Sequence, residues 1–201
     1  VIPTARMDEP SIFTRSGPGI LGMCKPDLVD YGGTALYDTA IHNIRPGGDI
    51  PESGILSLNN KYLDSLFKAS SGTSVAAPMV ANKAALLLKQ IPNSTANLLR
   101  ALLVNASSHP LENQQRINLL DGKSKNDIYG KGLVRVKNLI SSEDNRVVLY
   151  SQDVLQPDYF AVYEIPIPDN FKNTKGKKIS VLHLPLTHRL DIQEKIILAV
   201  K

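Results

Sequence analysis

A single cysteine, Cys24, stands in the whole chain, which excludes an intrachain disulfide and a thiolate metal cluster. That scarcity fits a reducing compartment. With no charged-then-apolar leader at the start, the expected location is cytoplasmic. Tryptophan is absent and aromatics make up only 5% of residues, too few to interleave the basic stretches with a platform for stacked bases. No apolar run reaches the ~20 residues needed to span a bilayer, so no membrane partner is expected. Histidines number only 4, and neither they nor the acidic residues cluster at metal-ligand spacing. Asp27, Asp30 and Asp49 read as turn and surface carboxylates rather than a calcium cage, and no metal or other cofactor is expected.

What is present is ordinary globular material: 201 residues, 42% hydrophobic and 21% charged, enough for a sizeable core. The net charge of +4 raises the question of nucleic acid. Its densest basic run, Lys172 to Lys178, contains Gly176 and lies between two strand-like segments. A solvated hairpin turn accounts for it, and no nucleic-acid partner is expected. Asn93-Ser94-Thr95 and Asn105-Ala106-Ser107 match the glycosylation triplet, a pattern common by chance. The chain opens on Val1-Ile2-Pro3 without an initiator methionine, so it is expected to be a piece of a longer protein.

The stretch that organises the rest is Ser71-Gly72-Thr73-Ser74-Val75-Ala76-Ala77-Pro78. A small Gly-Thr-Ser turn runs directly into an alanine-rich segment ending near Gln90. Its apolar positions cover almost the full circumference at helical period, which predicts a helix buried on most sides. Pro78 is tolerable only near a helix start, so onset is predicted at Thr73 or Ser74. A serine hydroxyl then sits at a helix mouth, where unpaired N–H groups and the helix dipole favour developing negative charge. A plain N-cap is the simpler use of such a serine.

The wider pattern goes further. Gly72-Thr73-Ser74-Val75-Ala76-Ala77-Pro78 followed by Val80-Ala81 resembles the serine signature of the subtilisin-like serine proteases, the subtilases. Ser11-Ile12-Phe13-Thr14-Arg15-Ser16-Gly17-Pro18 and Lys25-Pro26-Asp27-Leu28-Val29-Asp30-Tyr31-Gly32-Gly33 resemble two of the family's upstream segments. Leu98 to Leu103 and Tyr129-Gly130-Lys131-Gly132-Leu133-Val134 resemble its last helix and a following turn. The blocks arrive in family order across roughly residues 1 to 143. A Gly-x-Ser-x-Gly elbow fails as a rival, because Ala76 stands where the last glycine belongs.

The resemblance implies an α/β fold: the C-terminal portion of a three-layer parallel-sheet catalytic domain over 1–143. An incomplete antiparallel β-sandwich is expected over 144–201, where β-branched and aromatic runs (Arg146 to Tyr150, Tyr159 to Ile167, Lys177 to Leu186, Gln193 to Val200) alternate with turn residues. Val1 to Ala5 is expected to end a buried strand, and Thr34 to Lys68 to be largely loop with an extended piece at Gly54 to Leu58. Ser94 is expected to cap a second helix running to Asn105, with Leu98, Leu99, Leu102 and Leu103 on one stripe. Ser107 to Asn126 reads as loop, and Val136 to Ile140 as a final short helix.

By the same resemblance Ser74 would be the nucleophile, Thr73 would shape the oxyanion turn, and Val75 would stand on the leaving-group side of the scissile bond. Phe13 is either a core plug or, by resemblance, a wall of the pocket beyond that bond. His42 and His109 read as surface or turn residues, since the family's order of Asp, His, Ser puts the base far upstream. The implied activity is that of a serine endopeptidase on protein or peptide substrates, in a parent protein that supplies the acid, the base and the oxyanion asparagine ahead of Val1. The 201-residue piece alone would then be inert. The alternatives are a degenerate protease serving as a binding scaffold and a peptide-recognition role for 144–201. A helix apolar all round also needs a covering, so either a companion chain or exposed apolar surface is expected.

Overall fold

A computed structural model describes residues 1–110, 122–139, 148–152, 161–165 and 196–200. Its main helix, α1, spans Thr73–Gln90, and α2 spans Ala96–Asn105. The link between them is closed by the Ser94 hydroxyl donating to the Ile91 carbonyl at 2.8 Å. Thr95, one residue beyond the expected cap, accepts from the Leu98 N–H with its hydroxyl. The stripe predicted on α2 is real: Leu98, Leu102 and Leu103 are buried and pack with Leu87 of α1, Ala106, Val134 and Leu139. Val148 packs against this same core.

The strands form short ladders. β1 (Ile2–Pro3), β2 (Leu36–Asp38) and β3 (Asn43–Arg45) make one antiparallel sheet. β4 (Ile55–Leu58) pairs antiparallel with β5 (Phe67–Ser70), and β6 (Ser107–Ser108) pairs likewise with β7 (Leu133–Val134). Between β6 and β7 in the chain lies α3, the five-residue helix Lys125–Tyr129. Among the described residues of 1–139 a parallel contact enters where Val29 bridges Leu133, with the Val29 N–H donating to the Gly132 carbonyl at 3.1 Å. Mixed helices and strands place the chain in the α/β class.

Several expectations need correction. Within 1–139 the described ladders are antiparallel; the links joining β2 to β3 and β4 to β5 are too short for the long crossover that parallel pairing requires. In the C-terminal part, β8 (Ala161–Ile165) and β9 (Ile196–Val200) run parallel, not antiparallel. Residues 148–152 contain no strand, and Lys177 to Leu186 lies outside the described residues, as does the 143/144 boundary. β1 is a strand but not a buried one, with Ile2 55% exposed on the sheet's edge. The stretch read as loop from Thr34 holds β2 and β3, and the one from Ser107 holds β6 and the start of α3. The predicted last helix is a single 3₁₀ turn, Val136–Asn138.

The largest difference concerns α1. Only Leu87 is fully buried on it, while Ala77, Met79, Ala81, Ala85, Leu86 and Leu88 are exposed. The helical period holds, but among the described residues α2 and the chain around Val134 cover α1 from one side. Exposed apolar surface is therefore what the described residues carry.

Candidate active site around the Ser74 turn

Gly72 opens α1 with φ 145° and ψ 166°, a conformation that disfavours any residue with a Cβ. No side chain caps this helix start. The Val75 N–H turns back to the Gly72 carbonyl at 3.0 Å. The N–H groups of Thr73 and Ser74 have no partner among the described residues, nor has either hydroxyl, and both residues are exposed. Four turns of aligned peptide dipoles lie behind them. Pro78, the sixth helical residue, has no N–H to return to the Ser74 carbonyl.

The turn is held from two sides. The Gly72 N–H donates to the Gly32 carbonyl at 2.8 Å. The approach is so close that a Cβ on Gly32 would stand 2.7 Å from the Gly72 oxygen. On the other side the Ser71 hydroxyl accepts from the Gly47 N–H at 3.0 Å. Gly47 in turn belongs to a loop closed on itself by Ser53, whose hydroxyl donates to the Gly47 and Ile50 carbonyls. A short polar turn thus hangs between two glycine-bearing loops, with its serine facing solvent.

Thr73, Ser74 and Val75 are brought together at the helix mouth, Val75 half-buried beside the exposed pair. Phe13 is half-buried in its own loop, neither the sealed core plug nor a free surface ring. His42 is exposed at the β2–β3 turn, with Nδ1 3.0 Å from the Tyr37 hydroxyl. His109, expected to face solvent, is half-buried with Nε2 2.8 Å from the Gly130 carbonyl. Neither imidazole hydrogen-bonds Ser74.

A second polar group lies beneath the Gly32 loop. Tyr31 donates through its hydroxyl to Asp8 at 2.6 Å, and that bond, with partial burial and the nearby carboxylate charge, raises the phenol's pKa. Arg135 reaches the other Asp8 oxygen at 3.4 Å. Burial also raises the pKa of Tyr129, whose hydroxyl meets the Asp8 carbonyl at 3.3 Å. Next to Tyr31, Asp30 departs most from its sequence reading. Its side chain is 1% exposed, not superficial, and pairs with Lys83 of α1 at 2.5 Å. The signal for this was present but unused: Lys83 is the one charge between Val75 and Leu88.

Chemically, the arrangement offers an accessible hydroxyl and two N–H groups at a positive helix end, which suit a tetrahedral oxyanion. Among the described residues no group of three or more His, Cys, Asp or Glu could hold a metal ion. No described helix is long and apolar enough to cross a membrane.

The chain is 45% identical over 172 residues to an uncharacterized protein, y4bN, of Sinorhizobium fredii, spanning 86% of this chain and 40% of that protein. It is 28% identical over 153 residues to the serine protease AprX of Bacillus subtilis, spanning 70% of this chain and 28% of that protein. The chain thus covers well under half the length of both relatives. No solved structure matches it significantly. The model of the subtilase family, peptidase S8, matches residues 4–132, and on that span, which holds the serine turn and both loops that grip it, the chain belongs to the subtilase family.

Proposed function

We propose that the protein to which this chain contributes is a serine endopeptidase with Ser74 as its nucleophile. One observation carries the reading: in a subtilase chain, the serine of the family's signature stands exposed at the mouth of an 18-residue helix, beside N–H groups with no described partner. Ser74 Oγ attacks the scissile carbonyl while its proton passes to a base. The carbonyl oxygen takes up negative charge against the Ser74 N–H, in a turn shaped by Thr73. Collapse of the tetrahedral adduct breaks the C–N bond, the amine leaves with the proton, and water then hydrolyses the acyl ester. Val75 and Phe13 line the leaving-group side.

The base, its orienting acid and the oxyanion asparagine are placed upstream of Val1 in the longer protein, together with the parallel strands of a three-layer domain. Residues 1–143 form the C-terminal part of that domain, and 144–201 a β-rich one. The upstream part is also the companion that covers α1. Protein or peptide chains are the substrates, and the cytoplasm is the proposed location. Among the described residues no imidazole hydrogen-bonds Ser74, and by itself the 201-residue chain is proposed to be inert.

A fluorophosphonate probe tests this on both forms. The longer protein is expected to label at Ser74, and Ser74→Ala to abolish labelling and lower peptidase activity by about 10⁴- to 10⁶-fold. The 201-residue chain is expected to stay unlabelled. A folded longer protein that never labels would leave only a binding scaffold, and ready labelling of the short chain would overturn its inertness.

A further inference from the structure

Lys83 lies nine positions after Ser74 on α1, about 14 Å away along the axis at 1.5 Å per residue, too far to touch a bound peptide. Its ammonium group donates to Asp30 Oδ2 at 2.5 Å and to the Val134 carbonyl at 2.9 Å. The two side chains are 13% and 1% exposed. One cation therefore joins three pieces of chain: the helix carrying the serine, the Asp27–Asp30 segment and β7. The latter two are already bridged at Val29 and Leu133.

Two residues beyond Asp30, the Gly32 carbonyl receives the Gly72 N–H. Between them, the Tyr31 N–H donates to Asp30 Oδ1 at 2.9 Å, so the carboxylate ties its own loop as well as the helix. Fixing Asp30 fixes the acceptor that sets the serine turn. Two charges withdrawn from water are a poor source of stability, because desolvation offsets most of their attraction. Such a pair instead selects one register among several that apolar side chains would tolerate.

We infer that Lys83 and Asp30 form a positioning pair for Ser74, holding α1 in register with the loop whose Gly32 carbonyl orients Gly72 and so aims the serine hydroxyl. This inference rests on the reading of Ser74 as nucleophile.

The test uses the longer protein carrying Lys83→Met together with Asp30→Leu, which removes both charges and keeps similar volume. Thermal unfolding is expected to stay close to that of the unsubstituted protein. On a peptide substrate kcat is expected to fall roughly ten- to hundredfold with KM little changed, the mark of misplacement rather than lost binding. Amide hydrogen exchange across residues 70–76 is expected to quicken. Wild-type kcat and wild-type exchange in a folded double variant would overturn the pair's role.

Should that variant not fold, Asp30→Asn keeps an acceptor for Lys83 with weaker attraction. A smaller fall in kcat with graded exchange supports the inference, and unchanged values overturn it. If the unsubstituted protein never labels at Ser74, the nucleophile reading fails. Exchange alone then decides the clamp: quicker exchange in the double variant upholds it, and unchanged exchange ends it.

Discussion

Gly32 has no room for a side chain, since a Cβ would lie 2.7 Å from the Gly72 oxygen and 3.3 Å from the Ala76 methyl. Neither obstacle is the loose end of a flexible chain, so Gly32→Ala must push the serine turn away or break its hydrogen bond. The expected outcome in the longer protein is a loss of about tenfold or more in kcat, with a modest drop in melting temperature. Steady-state kinetics beside thermal denaturation would check it. At this scale the sequence was readable where a residue's chemistry is local. Gly72, Ser74 and Pro78 announce a turn and a helix start through their own backbone preferences. Asp30 and Lys83 stand 53 positions apart, and nothing local in either shows that they meet. A lone charge in an apolar helix signals that a partner exists, not which one.

Among the elements, α1 and α2 were legible because their period and their stop signals agree. The side that α1 buries was not, because a helix apolar all round carries no stripe to choose one. Leu87 is wholly buried against α2, whereas Leu88 is 42% exposed. Leu87→Ala is expected to destabilise the fold by about 2–5 kcal/mol, and Leu88→Ala by less than about 0.5 kcal/mol in the uncovered chain; urea unfolding would separate them. Short ladders such as β6–β7 were missed because two residues hold no alternation to detect.

α3 was missed for its length, although Ser124 and Asp127 form a reciprocal capping box at its start. The Ser124 N–H, and then its hydroxyl, donate to the Asp127 carboxylate and hold its pKa below the usual carboxylate range. A folded-state pKa that is depressed means stability fully present above the unfolded value, and lost as pH falls through the folded one. Asp127→Asn is therefore expected to lower stability at neutral pH and to flatten the acid side of a stability-against-pH curve. A wild-type slope in the variant would contradict that.

At the scale of the molecule, uncovered apolar surface dominates the described residues. Besides α1, the β4–β5 hairpin shows Leu56, Leu58 and Phe67 on one face, at 60%, 82% and 55% exposure. The 201-residue chain alone is expected to bind a hydrophobic dye such as anilinonaphthalene sulfonate and to self-associate. The longer protein is expected to do neither; dye fluorescence and size-exclusion chromatography would show the contrast. Family and overall class were legible from ordered motifs, while strand pairing was not, since it depends on which segments lie side by side.

The contact of Val134 with Lys83, and of Leu133 with Val29, has a consequence in time. A ribosome releases Gly32, Gly72 and Ser74 well before the stretch that braces them. Through that interval the Gly32 and Gly47 loops hold the turn alone, without the Lys83–Val134 and Val29–Leu133 contacts. On the proposed reading of Ser74 as nucleophile, the turn that carries it gains its full set of braces only after synthesis has passed it by some sixty residues.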